Sequence, residues 1–414
     1  MNHVERRILT VTCFGHFMSH YNSLVFPALV LPLVATLNLE LAQVLGLSFW
    51  MYLLFGVTAL PWGLVGDRWD GRALLAIMFL GSGLSGLAAA YFIESPGALS
   101  VALAGVGLFS GIYHPIGMGL ISKGVSRLSL AMGYNALFGG LGLAIAPLAT
   151  GIINWLSGPA AAFIGLGILN FAGLALMAML PLTQAETHEE AVTERNGGSP
   201  VAFLIVLIAG GLAGIAYSAA IVILPAYLEL KSQEIFNGLT RVFGTGLSSN
   251  LLATTITAMV YVVGMLGQYV GGRVGEARDM RYSYLVFHIV CIPAALFMAF
   301  TSNLPLVGFA FIYFFFMLGM QALENSLVAG YTPRRLHHSA FGLKFVFTFG
   351  VGSIGVKMAQ WIDKAWGIDA TFVALAAISV VLVASIVALI IWTNRSVSQT
   401  TETIAQAPSA TVEA

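Results

Sequence analysis

Thr183–Ser199, TQAETHEEAVTERNGGS, is the one long polar stretch in the interior of the chain, and its composition is that of a solvated linker. On both sides of it the sequence is of another kind. Of 414 residues, 58% are hydrophobic and 9% charged, against roughly 45–50% and about 25% in ordinary soluble domains. Apolar stretches of about 20 residues or more recur along the chain, each near the length that crosses ~30 Å of hydrocarbon. Punctuation by Gly, Pro and charge places six spans before the linker, near 8–36, 42–65, 73–93, 97–121, 129–155 and 159–182. Six more follow, near 200–228, 247–272, 282–301, 304–330, 338–362 and 369–393. The expected fold is therefore an all-α membrane protein with twelve transmembrane helices in two pseudo-symmetric six-helix bundles. Residues 1–182 form the N-terminal bundle, 183–199 the cytoplasmic linker, 200–393 the C-terminal bundle and 394–414 a disordered cytoplasmic tail.

Cation counting gives the orientation, because Lys and Arg are retained on the cytoplasmic side. With the N-terminus inside, thirteen of eighteen cations fall on cytoplasmic segments, from Arg6 and Arg7 through Arg68, Arg72, Lys123, Arg127 and Arg195 to Arg334, Arg335 and Arg395. Lys231, Arg241 and Lys364 fall outside, and Lys344 and Lys357 within a span. This predicts a multi-pass protein of the cell inner membrane with both termini cytoplasmic. Zero net charge leaves no basic footprint for nucleic acid. Cys13 and Cys291, far apart in apolar segments, read as small buried hydrophobes. The N-terminus runs into its first span without a small-residue cleavage site, as a retained helix does.

The halves echo one another. GLVGDRW (63–69) returns as QYVGGRV (268–274), and GYNALFGG (133–140) as GLKFVFTF (342–349), at nearly equal offsets. Many transporters build a midplane site from such repeats. With six spans, a polar linker and six spans, the chain resembles the major facilitator superfamily. Gly63, Gly66, Asp67, Arg68, Gly71 and Arg72 resemble that superfamily's signature turn after span two, with one extra residue between Arg68 and Gly71. The glycines allow close helix approach, and the resemblance implies a gating role for Asp67, Arg68, Arg72 and Arg273 across the halves. Within the superfamily, Ser19-His20, Pro27-Ala28, Tyr113-His114-Pro115 and the glycines 139, 140 and 142 resemble the fosmidomycin-resistance-type efflux branch. Asn22 stands where that branch often has an acidic residue. Ala146-Pro147 and Thr150-Gly151 replace the Gly-Pro and Gly-Gly of the antiporter motif.

Ionisable groups at membrane depth are costly and need a partner or a purpose. Glu324 is the only acidic residue well inside a span; Lys344, His16, His20 and His114 are its candidate counterparts. Counted from the nearest cytoplasmic cations at 1.5 Å per residue, Glu324, His114, His16 and Lys344 sit at one level, roughly 14 Å above the inner boundary. The superfamily architecture places spans one, four, seven and ten around a central cavity. Glu324 reads either as a static partner of Lys344 or as a titrating group. His16 and His20, four apart, share a helix face and are candidate proton carriers or substrate contacts. They could with His114 suggest a transition-metal site, but no Cys cluster or Asp pair completes one, and no metal or other cofactor is expected. Asn22, Tyr134, Asn135, Tyr217 and Gln321 offer neutral donors and acceptors to a polar substrate. Pro27, Pro32, Pro115 and Pro225 are expected to kink their helices.

The function expected is a secondary active transporter working by alternating access, exporting a small organic compound or drug with protons as the coupling ion. The chain has no phosphate-cradling Gly-x4-Gly-Lys-Ser/Thr loop and no intramembrane Ser/His/Asp set. The alternatives are proton-coupled import of a small carboxylate or siderophore-like metal chelate, a non-transporting receptor, and an intramembrane enzyme. The partners expected are a small-molecule substrate, protons and membrane lipid, and the protein is expected to be a monomer.

Overall fold

The computed structural model describes residues 1–180, 199–244, 246–333 and 337–406. The linker expected at 183–199 lies outside the described residues except for Ser199, as do Arg334, Arg335 and 407–414. Every described element is helical. The first span is α1 (His3–Ala28) and α2 (Val30–Leu37), bent by 49° where they meet. Pro27 lies inside α1 just before the bend, where its missing N–H and bulky ring break the helical ladder. The second span is α3 (Leu41–Leu47), α4 (Phe49–Val57) and α5 (Ala59–Gly66); the third is α6 (Gly71–Tyr91). The fourth is α7 (Pro96–Ser110) and α8 (Tyr113–Gly124), interrupted at Gly111, four residues before Pro115, the position whose carbonyl a proline ring strikes. The fifth and sixth are α9 (Leu128–Ser157) and α10 (Pro159–Met179), joined through Gly158 at φ 81°.

In the second half, α11 (Pro200–Lys231) is followed by a short amphipathic helix, α12 (Gln233–Phe243). Then come α13 (Ser249–Ala277), α14 (Met280–Phe300) and α15 (Asn303–Gly330). The eleventh span is composite: α16 (His337–Phe345), a π-helical turn Val346–Gly350, a 3₁₀ turn Val351–Ser353 and α17 (Ile354–Trp366). The last helix is α18 (Asp369–Gln406), which runs on through the first part of the expected tail.

Ten stretches are long and apolar enough to cross a membrane, or eleven with the bent first pair. One of them, Leu130–Met179, has 50 residues, ~75 Å of helix if straight and therefore more than one crossing. Its division at Gly158 into α9 and α10 gives two helices of crossing length, and so the expected twelve. Large apolar side chains such as Leu84, Val101, Ile168, Leu204, Met259 and Ile391 are exposed around the flanks, the surface that lipid covers. Exposed Trp50, Trp155, Trp361 and Trp366 ring one end of the bundle, and Trp69, Tyr269, Tyr282 and Trp392 the other, the aromatic belts of the two interfaces.

We call the end where α1 begins the near face and the opposite end the far face. At the far face the halves are hydrogen-bonded together: Asn154 donates to Asn250 at 3.0 Å, Asn250 to the Ala28 carbonyl at 3.0 Å, and the Trp155 indole to the Gly246 carbonyl at 3.0 Å. Nearer mid-depth, α4 meets the eleventh span backbone to backbone. A Cβ added at Gly56 would lie 2.1 Å from the Gly350 nitrogen, so only glycine permits this approach.

Candidate functional site

The histidine cluster is built by three spans of the first half. His16 and His20 stand one turn apart on α1, and His114 sits at the start of α8 just past the Gly111 break. Their ring centres are 5.0 Å (His16–His20), 5.4 Å (His16–His114) and 5.5 Å (His20–His114) apart. The glycine-rich run of α9 makes the room: a Cβ at Gly139 would fall 2.6 Å from the His16 ring. His16 is held on two sides, its Nδ1 2.8 Å from the Asn135 carbonyl and its ring stacked on Tyr113 at 4.9 Å. A carbonyl only accepts, so Nδ1 carries the proton and Nε2 keeps its lone pair. The Asn135 amide in turn donates to the Tyr113 hydroxyl at 2.5 Å. His114 is 6% exposed, and neither of its ring nitrogens has a hydrogen-bond partner.

The second half supplies an ion pair. Glu324 on α15 and Lys344 on α16, 2% and 5% exposed, lie 3.0 Å apart. Tyr284 donates to the other Glu324 oxygen at 3.0 Å, and Lys344 also donates to the Asn325 side chain at 2.5 Å. Both charges thus have further hydrogen bonds, which a buried pair needs to offset its desolvation. His288, T-shaped on Tyr284 at 4.7 Å, is buried beside this pair.

One ring joins the two groups. Phe345 carries the Lys344 ammonium 5.8 Å from its centre and stacks on His114 at 5.2 Å. Phe349, a turn further on, also stacks on His114, at 5.7 Å. A small void with room for one water at most lies beside the cluster. It is lined from both halves, by His20, Ser23, Tyr52 and Phe55 on one side and by Tyr217 and Phe349 on the other. Tyr52 fixes the wall by donating to the Ser23 carbonyl at 2.9 Å.

The structure thus brings His16, His20, His114, Lys344 and Glu324 into one series of contacts and sets Tyr217 at the void. Other expected residues lie elsewhere. Asn22 is turned into the first half, exchanging hydrogen bonds with Asn170 and donating to Ser110. Asn135 orients His16 through its backbone. Tyr134 is 47% exposed, and Gln321 accepts from Gln268 at 3.2 Å between α15 and α13. At the charged turns, Arg72 forks onto Asp70 at 2.6 Å, Arg273 lies over Tyr269, and Asp67 and Arg68 are exposed.

Sequence reading missed the Asp70 and Asp279 caps. Each accepts from the backbone N–H two residues on and pairs with the arginine there, 2.6 Å in both halves. These arginine hydrogen bonds hold both carboxyls below their usual range. The signal was available, since Asp70-x-Arg72 and Asp279-x-Arg281 stand at the same offset as the repeat of spans five and eleven. Tyr284, Asn325 and the phenyl rings carry no such sequence mark.

A bundle of this kind, with buried polar groups from both halves around a shared void, defines a membrane transporter. The profile of the Major Facilitator Superfamily matches residues 12–355, and the chain belongs to that superfamily. No curated protein matches the chain in sequence. Among solved structures, a bacterial homolog of the human lysosomal transporter Spinster, in an inward-facing and occupied conformation, is similar with TM-score 0.73. It is 15% identical, over 94% of this chain and 97% of that one. The nucleoside transporter NupG is similar at 0.71 and 15% identity, over 93% and 99%, and a peptide transporter POT in complex with sulfate at 0.71 and 14%, over 94% of each. At this identity the likeness is one of fold. The protein is a multi-pass membrane transporter of the superfamily and not an enzyme.

Proposed function

We propose that the protein is a secondary active transporter of the fosmidomycin-resistance-type efflux branch, exporting a small organic compound in exchange for protons by alternating access. The observation that carries this reading is the contact series His16–His114–Phe345–Lys344–Glu324, which crosses from one six-helix half to the other beside the shared void. Protonating Glu324 would neutralise one member of the Lys344 pair and leave its ammonium in need of a new partner. A rocking of the halves that takes up that change couples a proton to the opening of one face.

In this reading the near face is cytoplasmic, the protein acts as a monomer in the cell inner membrane, and the far-face hydrogen bonds are those that must break for release. Ser19-His20 and Tyr113-His114-Pro115, together with the glycines of α9, support the branch. Tyr217 and the Ser23 carbonyl stand where a substrate would enter the void. Asp67, Arg68, Arg72 and Arg273 lie at the near-face turns and would act by controlling how those turns separate.

The test is flux in proteoliposomes under an imposed pH gradient, across a panel of toxic organic compounds. Gradient-driven export that is lost in Glu324→Gln and at least tenfold slower in His114→Ala is the expected result. Flux that ignores the gradient and survives both substitutions would refute proton coupling through these residues. Accumulation along the proton gradient would make the protein an importer.

A further inference from the structure

The three imidazoles are spaced for more than proton relay. Three imidazoles each bound through one nitrogen to a tetrahedral ion at about 2.0–2.1 Å have ring centres about 5 Å apart. The observed separations are 5.0, 5.4 and 5.5 Å, so the backbone already holds the rings where such an ion needs them. The nearest ring nitrogens all lie within 4.8 Å of one another. Ligation brings nitrogens to about 3.3 Å, a closure of at most about 1.5 Å from the observed spacing.

Three further features point the same way. His114 is almost wholly buried and both its nitrogens lack a partner, a condition costing about 1–3 kcal/mol that a ligand would relieve. The Asn135 carbonyl fixes the His16 tautomer with the Nε2 lone pair available, the arrangement by which carbonyls orient metal-ligating histidines. The void at His20 leaves a place of water size for a fourth ligand.

We propose that His16, His20 and His114 form a binding site for a divalent transition-metal ion of the zinc type, with three protein ligands and one open position. An all-imidazole donor set selects Zn²⁺, Cu²⁺ or Ni²⁺ over the oxygen-seeking Mg²⁺ and Ca²⁺. Neutral imidazoles leave the ion's charge uncompensated, and Lys344 lies over the same Phe345 ring that stacks on His114. That repulsion keeps the affinity modest, as suits an ion that must leave again, and makes the metal a second cargo beside the organic compound. The assignment as cargo rests on the transport reading; the binding site does not.

The experiment is competition for Zn²⁺ between the purified full-length protein in detergent and a chromophoric chelator, with Mg²⁺ as control. One Zn²⁺ per chain is expected, weakened at least 10–100-fold in His20→Ala and His114→Ala, with no response to Mg²⁺. His20→Gln and His114→Gln, closer in bulk, carry the same comparison should the alanine variants unfold. Wild-type protein that binds no more Zn²⁺ than the His16→Ala/His20→Ala/His114→Ala variant would overturn the site. Zn²⁺ bound but not carried into vesicles would overturn its role as cargo. Proton-driven flux of an organic compound without Zn²⁺ binding would overturn this inference alone and leave the transporter reading standing.

Discussion

The two halves repeat their turns and not their interiors. Asp70 with Arg72 and Asp279 with Arg281 are the same cap, at the start of α6 and of α14, with the same 2.6 Å pairing. Deeper in the membrane the likeness ends. The first half presents three imidazoles, of which only His16 has a ring hydrogen bond; the second presents a carboxylate and an ammonium bound to each other and to Tyr284 and Asn325. Features that set topology sit at the ends of helices, where any span in either half has the same orphan N–H groups to satisfy. The groups proposed to meet cargo and proton sit mid-span, where one site at the seam would need different chemistry from each side.

The difference is most exposed to test at Glu324. Glu324→Gln leaves Lys344 without its counter-charge and should lower stability by about 3–5 kcal/mol, while Glu324→Gln/Lys344→Met should recover most of it; thermal unfolding in detergent reads both. The first half should behave oppositely. His114→Phe removes a buried group that has no hydrogen bond to lose, and should leave stability unchanged or raise it by up to about 1–3 kcal/mol. A cost there as large as at Glu324 would erase the contrast between the halves.

At the seam itself, Gly56→Ala drives a methyl into the Gly350 backbone and should cost about 1–3 kcal/mol, with a parallel fall in flux. The caps should give the smallest and most nearly equal effects. Asp70→Ala and Asp279→Ala should each cost about 1 kcal/mol, and a large inequality would show that the turns are less alike than their geometry. Both carboxyls titrate lower folded than unfolded. Their extra stability is therefore present above the unfolded value of 3.8 and is lost as pH falls below it through the folded one. Both side chains are largely exposed, so solvent screens the effect; acid titration of unfolding should show a small loss in the parent that Asp70→Asn/Asp279→Asn lacks.

Much of the architecture was legible because it rests on quantities a sequence states outright. Span length and polar punctuation gave the helices, and Pro27 and Pro115 marked the bend and the break. Counting residues from the cations expected on the cytoplasmic side put His16, His114, Lys344 and Glu324 at one depth, and the structure links all four through one series of contacts. Depth along a helix follows from a fixed rise, but rotation about its axis does not. Asn22, two residues from His20, therefore turned out to face Asn170 inside the bundle. Nor does sequence pair distant spans: Asn154 and Asn250 are 96 residues apart and lie in unremarkable apolar helices. The phenyl ring that links the halves looked like any packing residue, because its meaning comes from Lys344 and His114 lying against it.

The wide turn Val346–Gly350 followed by the tight turn Val351–Ser353 gives the eleventh span a stretch that is underwound and then overwound. Such slack lets one part of a rod twist without dragging the other. Lys344 lies just before it and the Gly56–Gly350 seam where its two turns meet, so the near portion of the rod can turn its ammonium while the far portion stays clamped. Amide exchange should register this as faster opening at 346–353 than in the flanking α16 and α17; uniform protection along the rod would mean that it moves as one piece.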